Sequence, residues 1–407
     1  MKHLFTILLA STTVSLAFSQ QNDKAVFKTE PVSYYQHTIV NSLNGKHDTT
    51  LHQKLKVDTD FDKLPTDPSL YKTIWYSPRI SQGNTGTCWS YSTSSFMESE
   101  IKRISGKEVN LSEMYTVYWE YVERMKYFVE HKGEMHLGEG SETNAIAKIM
   151  EIYGAVPYDD YSGIKKGEDF HNHEEMFEEI DLLFKQIKES KDWNEQKAVK
   201  KLKDILTNYI GEIPTQVKLN GKKVTPIQYL ASLDLDPKAY VNFMSLMEAP
   251  YYKKAIYDVP DNWWRSNDYN NIPLNHFMKL IKSAIQNGYS MSIGGDVSEP
   301  GFDKISQTAT IPSFDIPSEY INESSRQLRF ENGATTDDHA MHLVGYHEDE
   351  NGDTWFLIKD SGSGSRNAKS ASDKFGYYFM HQDYVKLKMM TITLHKEAAF
   401  EYLDKIK

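Results

Sequence analysis

One cysteine occurs among the 407 residues, Cys88, inside the run Gln82-Gly83-Asn84-Thr85-Gly86-Thr87-Cys88-Trp89-Ser90. A thiolate is the side-chain nucleophile suited to attack on an acyl carbon through a covalent intermediate. Two glycines make the loop before it permissive enough to approach a ligand closely. The pattern from Cys88 to Ile104 predicts a helix that starts at the cysteine itself. A helix N-terminus carries partial positive charge and unpaired N–H groups. Both favour thiolate, and the same N–H groups could bind an oxyanion. A buried, inert cysteine is the plainer alternative. Such chemistry also needs a base, and the base needs a group that holds its tautomer. The chain has 14 histidines. Most are expected to be surface bystanders, and His171-Asn172-His173 lacks a third ligand for a metal.

The elements that must carry these residues follow from periodicity. Within Cys88–Ile104, Cys88, Tyr91, Ser95 and Ser99 share one side while Trp89, Phe96 and Ile101 fill another, and Gly106 stops the helix. A second helix is expected from Leu111, with Asn110 as its cap. Residues 159–290 read as charged and helix-rich, with helices over Glu174–Lys188, Trp193–Tyr209 and Leu274–Asn287, the last ended by Gly288. Their charges read as solvated faces. Strands take over after Tyr289, at Ser290–Gly294, Met341–His347, Thr354–Lys359, Gly376–Met380 and Lys388–Leu394, with a hairpin turn at Asn351-Gly352. Helices first and strands later imply an α+β fold of two lobes with the site in the cleft between them.

The run Gln82-Gly-x-x-Gly-x-Cys88-Trp89 resembles the papain-like cysteine peptidase superfamily. By that resemblance Gln82 is the oxyanion-hole side chain and the Cys88 N–H its companion. Asp338-His339-Ala340, followed by Gly345-Tyr346, resembles the family's histidine motif and implies that His339 is the base; His342 falls on the opposite strand face. Leu357-Ile358-Lys359-Asp360-Ser361-Gly362 aligns with the family's Asn-Ser-Trp run, so Asp360 takes the orienting position and Gly362 stands where a tryptophan would shield the pair. Thr85 replaces a cysteine that papain pairs in a disulfide. His339 follows Cys88 by roughly 250 residues, against about 130–150 in papain-like enzymes. Both departures resemble the bleomycin hydrolase / aminopeptidase C branch, which carries a large helical insertion. His136-Leu137-Gly138-Glu139-Gly140-Ser141 resembles the strip that pairs with substrate backbone, which makes Gly138 and Gly140 substrate-binding candidates. Asp258–Trp263 and Asp296–Glu299 resemble stretches of exported Bacteroidetes-type relatives. In that branch the C-terminal tail enters the cleft and its carboxylate meets the substrate amine.

The resemblance implies a cysteine aminopeptidase acting on peptides, with no cofactor and no metal. The alternatives are a papain-like endopeptidase, a catalytically weakened papain-fold binding protein, or an acyltransferase. A homo-oligomer stays open. The expected organisation is a signal peptide over 1–19, an N-terminal arm over 20–70, a helical lobe with the nucleophile over 71–158, a helical insertion over 159–290, and a sheet lobe with the histidine and C-terminal tail over 291–407. The signal rests on a short basic start, an apolar Leu4–Phe18 and the small-x-small Ala17-Phe18-Ser19. It predicts a periplasmic or secreted protein without a membrane span after cleavage. A net charge of −11 argues against nucleic acid as partner.

Overall fold

The computed structural model describes residues 23–29, 53–58, 63–304, 306–362 and 376–406. The expected signal peptide lies outside the described residues. Within the expected arm, β1 (Lys24–Thr29) and β2 (Gln53–Asp58) form an antiparallel pair; just past it β3 (Lys72–Thr73) pairs antiparallel with Gly345 and Tyr346 of the main sheet.

Three helices follow: α1 (Cys88–Ser105), α2 (Glu113–Glu130) and α3 (Asn144–Tyr153). Gly106 ends α1 at φ 73°, in the left-handed region that glycine occupies without cost. The start of α2 differs from expectation. Ser112, not Asn110, caps it by accepting from the Tyr115 N–H. Leu111 is taken up instead by a bridge to Pro157. The Ser side chain reaches an open N–H, which an Asn two residues earlier does not.

The expected insertion contains α4 (Glu174–Ser190) and α5 (Glu195–Ile210), but it is not helical throughout. A small hairpin of β4 (Val217–Leu219) and β5 (Lys222–Val224) and a short α6 (Pro226–Ala231) come next. Then β6 (Tyr240–Met244), β7 (Lys253–Ala255) and β8 (Tyr269–Asn271) enter the main sheet before α7 (Leu274–Gln286). Three- to five-residue strands give too few residues for a period to show. Nor do α4 and α5 form a body of their own. Met176, Ile180, Leu202 and Leu206 share one apolar core with Trp89, Phe96 and Met114.

The later strands are β9 (Met291–Gly295), β10 (Phe302–Asp303), β11 (Thr308–Ala309), β12 (His339–Glu348), β13 (Thr354–Lys359), β14 (Tyr377–His381) and β15 (Met389–His395). Helices α8 (Glu323–Glu331), α9 (Gln382–Lys388) and α10 (Phe400–Leu403) interleave with them. The sheet order is β10-β11-β14-β13-β12-β9-β15-β6-β8-β7, antiparallel except at β11/β14 and β6/β8. Gly352 turns the β12–β13 hairpin at φ 84°. A second core under this sheet is built from Phe277, Ile281, Ile293, Leu343, Phe356 and Ile392.

Helix α1 lies between the two cores, against β9 and β12. Every residue from Trp89 to Ile101 is buried, so the helix has no wet face. Its serines and threonines let the sheet approach and find partners there. Thr93 and Ser92 meet Ser292, and Ser90 donates to the Glu113 carbonyl at 3.0 Å. Among the described residues, no helix is long and apolar enough to cross a membrane.

Candidate active site

Cys88 is the first residue of α1, after Thr87, whose side chain makes no capping bond. The open N–H groups of that turn therefore face the region of the sulfur. The loop before it is clamped from three sides. Asn84 N donates to His171 O at 2.7 Å, and His173 N returns a bond to Asn84 O at 3.1 Å. Gly83 sits at φ 69°, and a Cβ there would lie 2.3 Å from His171 O. That position therefore accepts only glycine. Glu139 takes the Gly86 N–H at 2.6 Å on one oxygen and His173 Nδ1 at 2.7 Å on the other.

His339 opens β12 and pairs across to Gly295. The β12–β13 register sets His342 opposite Lys359, which leaves Asp360 just past the strand end, at the edge where His339 begins. His339 Nε2 meets Asp360 Oδ1 at 2.6 Å. With Nε2 committed, Nδ1 is the ring nitrogen left to meet Cys88. Burial opposes charge on this ring. The Asp360 carboxylate, and then Cys88, outweigh it by charge and hydrogen bonding and hold the imidazole pKa well above its ordinary value. The side chain of His339 is 13% exposed and that of Asp360 3%. The glycine at 362 therefore leaves the pair well covered, although a Cβ there would already lie 3.2 Å from both His339 Cε1 and Asp360 Oδ2.

Gln82 is buried beside them. Its Nε2 donates to Thr85 O at 2.7 Å, which leaves the second amide hydrogen for a ligand, and its Oε1 accepts from Ser361 Oγ at 2.9 Å. Ser361 thus fixes Gln82, a role that its place in a Gly/Ser run does not announce.

Cys88, Gln82 and His339 line a cavity of about 320 Å³ together with Gly140, Ser141, Glu142, Asp261 and Asp337. A second cavity, of about 260 Å³, shares Gln82 and His339 and reaches Phe302, Lys304 and Tyr378. Space on both sides of the Cys–His pair suits a chain that passes through it. Of the two candidate glycines, Gly140 lines the first cavity, whereas Gly138 is not among its lining residues. Both carbonyls are held by Arg124, that of Gly140 at 2.5 Å, and Arg124 in turn pairs with Glu120 at 2.6 Å.

Behind the site a buried polar chain ties α1 to β13. Lys359 Nζ donates to Ser77 Oγ at 2.9 Å and Ser95 Oγ at 2.7 Å, and Ser95 meets His342 Nδ1 at 2.9 Å. Ser77 also bonds Glu98, which takes the Leu111 N–H at 2.7 Å. Burial pushes Lys359 down to about 8 and holds Glu98 above the usual carboxylate range. Four histidines other than His339 are taken into the interior. His171, His173, His342 and His395 are buried, each absorbed by packing that only the tertiary fold brings about. Burial lowers His171 to about 3 and His342 well below the imidazole range. Among the described residues, no group of three or more metal-type ligands could hold an ion.

The resemblance placed the C-terminal tail in the cleft, with a carboxylate at Lys407, which lies outside the described residues. Residues 396–406 pack against the sheet lobe, where Ala399 and Tyr402 join the second core and Tyr402 faces His276 of α7. None of them lines the cavity beside Cys88.

The model of the Peptidase C1-like family matches residues 18–135 and 216–406. Aminopeptidase C of Lactobacillus delbrueckii subsp. lactis is 22% identical over 371 residues, covering 79% of this chain and 80% of that protein. Aminopeptidase C of Lactococcus lactis subsp. cremoris is 21% identical over 369 residues, covering 80% and 84%. The crystal structure of PepW from Lactobacillus rhamnosis HN001 matches with a TM-score of 0.67 at 16% identity, over 84% of this chain and 85% of that one. The stretch that the family model leaves unmatched, 136–215, contains Gly140, Ser141 and Glu142.

Proposed function

From the premise that the chain belongs to the Peptidase C1-like family, with the papain-like α+β fold of a cysteine peptidase, we propose that it is an aminopeptidase that uses Cys88 as nucleophile and His339 as base. The observation that carries this reading is the placement of His339. One nitrogen is anchored on Asp360 at 2.6 Å, and the ring lies in the cavity wall that also holds the thiol at the head of α1.

The steps balance on groups already present. Cys88 Sγ, as thiolate, bonds to the substrate carbonyl carbon, and the oxyanion that forms accepts from the Cys88 N–H and the spare Gln82 N–H. His339 Nδ1 gives its proton to the leaving amine as the C–N bond breaks, which leaves a thioester. Water then adds with its proton passing to His339, and the acid departs from the sulfur. Asp360 keeps Nε2–H oriented throughout, as a carboxylate does for an imidazole.

The aminopeptidase C relatives support cleavage at the N-terminal end, whereas residues 396–406, none of which lines the cavity, leave endopeptidase action as the rival. Hydrolysis of a free-amine peptide compared with its N-acetylated form separates the two, and cleavage of the free-amine form alone is the expected result. Cys88→Ala is expected to abolish turnover; retained cleavage would defeat the assignment. The apolar leader further supports an exported enzyme, tested by the N-terminus found after secretion, expected near Gln20.

A further inference from the structure

The cavity beside Cys88 has an acidic end that the chemistry above does not use. Glu142, Asp261 and Asp337 all line it, and Glu142 and Asp337 are close enough to share a hydrogen bond. Glu142 is only 4% exposed. Among the described residues, no Lys or Arg forms an ion pair with any of the three. Arg124, whose charge acts on Asp261 together with that of His136, is committed to Glu120 and to the carbonyls of Gly138 and Gly140. One buried and two half-buried carboxyls without an ion-paired cation are costly unless a proton or a cation joins them.

One atom there awaits a ligand. Ser141 Oγ, in a residue 6% exposed, is buried without a hydrogen-bond partner and lines this cavity, and Glu142 Oε1 has no donor other than a proton shared with Asp337. The other Glu142 oxygen accepts from Tyr269 OH at 2.9 Å, which fixes the carboxyl beside Asp337. Gly140 makes room. A Cβ on it would lie 2.0 Å from Asp261 Oδ2, so only glycine allows that carboxylate to reach the cavity wall. The electrostatics agree. Burial, and then the Asp261 charge, push Glu142 up to about 7, and burial, Glu142, Asp261 and Cys88 hold Asp337 well above the carboxylate range. A small cation bound among them would reverse both effects and displace a proton.

We propose that Glu142, Asp337 and Asp261, with Ser141, form the subsite that receives the free α-ammonium of the substrate, in place of a chain terminus. The inference rests on the reading of Cys88 and His339 as the reactive pair. An ammonium has three N–H donors and one charge, which suits the Glu142–Asp337 pair acting through a shared proton as one carboxylate, the Asp261 carboxylate and the Ser141 hydroxyl. The subsite then sets how far a peptide extends past the thiol and limits cleavage to its N-terminal end.

The test uses the full chain and a pair of aminoacyl-coumarylamide substrates, one with a free amine and one N-acetylated. Glu142→Gln and Asp261→Asn, each close in shape to the native residue, are expected to raise KM for the free-amine substrate about tenfold or more. They should also narrow its advantage over the acetylated one. A two-glycine extension after Lys407, which displaces the terminal carboxylate, should leave that advantage intact. Iodoacetamide titration of Cys88 in each variant separates misfolding from lost recognition. Calorimetry on Cys88→Ala reads binding without chemistry, and the free-amine peptide should bind about tenfold or more tighter than its acetylated form in that background only when Glu142 is present. The proposal is overturned if the two variants keep the free-amine preference, or if the extension alone removes it. A wild-type protein that fails to turn over either substrate but still shows the Glu142-dependent binding difference would overturn the catalytic reading and uphold the subsite.

Discussion

At the scale of the residue, the balance of charge around His339 decides the working pH range. The imidazolium–thiolate pair exists below the histidine pKa, which Asp360 raises against the opposing effect of burial. Removing that charge lowers the value, so the pair is lost earlier as pH rises. Asp360→Asn is therefore expected to move the alkaline limb of kcat/KM down by about one pH unit or more. A pH–rate profile checks this, and an unmoved limb would mean that Asp360 does not tune the ring. Gln82 acts through a single spare hydrogen. Gln82→Ala should lower kcat by about 10²- to 10³-fold, as loss of one oxyanion donor does. Cys88 should still alkylate, because the thiol and its base are untouched. Loss of alkylation as well would point instead to collapse of the loop that Ser361 and Gln82 join.

At the scale of the element, the site depends on a helix start, a strand start and a strand end meeting at one point. The link between them is the buried chain from Lys359 to Ser77, Ser95 and His342. Lys359 immediately precedes Asp360, so what fixes the lysine also fixes the carboxylate. Lys359→Met would leave Glu98 buried without its cation. Breaking a buried pair from one side costs about 3–5 kcal/mol, to be read from denaturant unfolding. A loss below about 1 kcal/mol would show that Glu98 is held neutral and needs no cation. The loop before Cys88 answers to the same logic. Gly83 cannot take a Cβ without striking His171 O, so Gly83→Ala should slow alkylation of Cys88 by shifting the clamp.

At the scale of the whole molecule, two cores flank one buried helix, and α4 and α5 of the charged middle belong to the first of them. Leu206 in α5 is fully buried in the core that holds Trp89. Leu206→Ala should cost about 2–5 kcal/mol and lower the midpoint seen by Cys88 protection together with that seen by helix content. Separate midpoints would mean an independent insertion. Buried acids give the molecule an unusual pH response. Burial raises Glu113 to about 8 and Glu142 to about 7. A carboxyl whose folded pKa exceeds its unfolded value contributes stability below the unfolded value and loses it as pH rises through the folded one. His171 and His342, lowered on folding, act in the opposite sense, but only below about pH 6.5. Between about pH 6.5 and 8 the melting temperature should therefore fall, and Glu113→Gln should flatten that slope.

Much of this was readable along the chain, because some constraints are local. A helix starting at Cys88 and stopping at Gly106, a hairpin turning at Gly352 and an amphipathic α4 all follow from neighbours three or four residues apart or from one residue's φ. The motifs around Cys88, His339 and Asp360 carried the candidate chemistry in the same way. The clamp of His171 and His173 on the nucleophile loop, the hold of Ser361 on Gln82 and the seat of the tail beside α7 left no such mark. The acidic end of the cavity is the sharpest case. Glu142, Asp261 and Asp337 are each one ordinary charge among 57 acidic residues, and only folding brings all three to one cavity wall. Periodicity is set by bonds within a turn or two, whereas desolvation and approach are set by segments a hundred residues away, and it is those that turn a solvated carboxylate into a place for a cation.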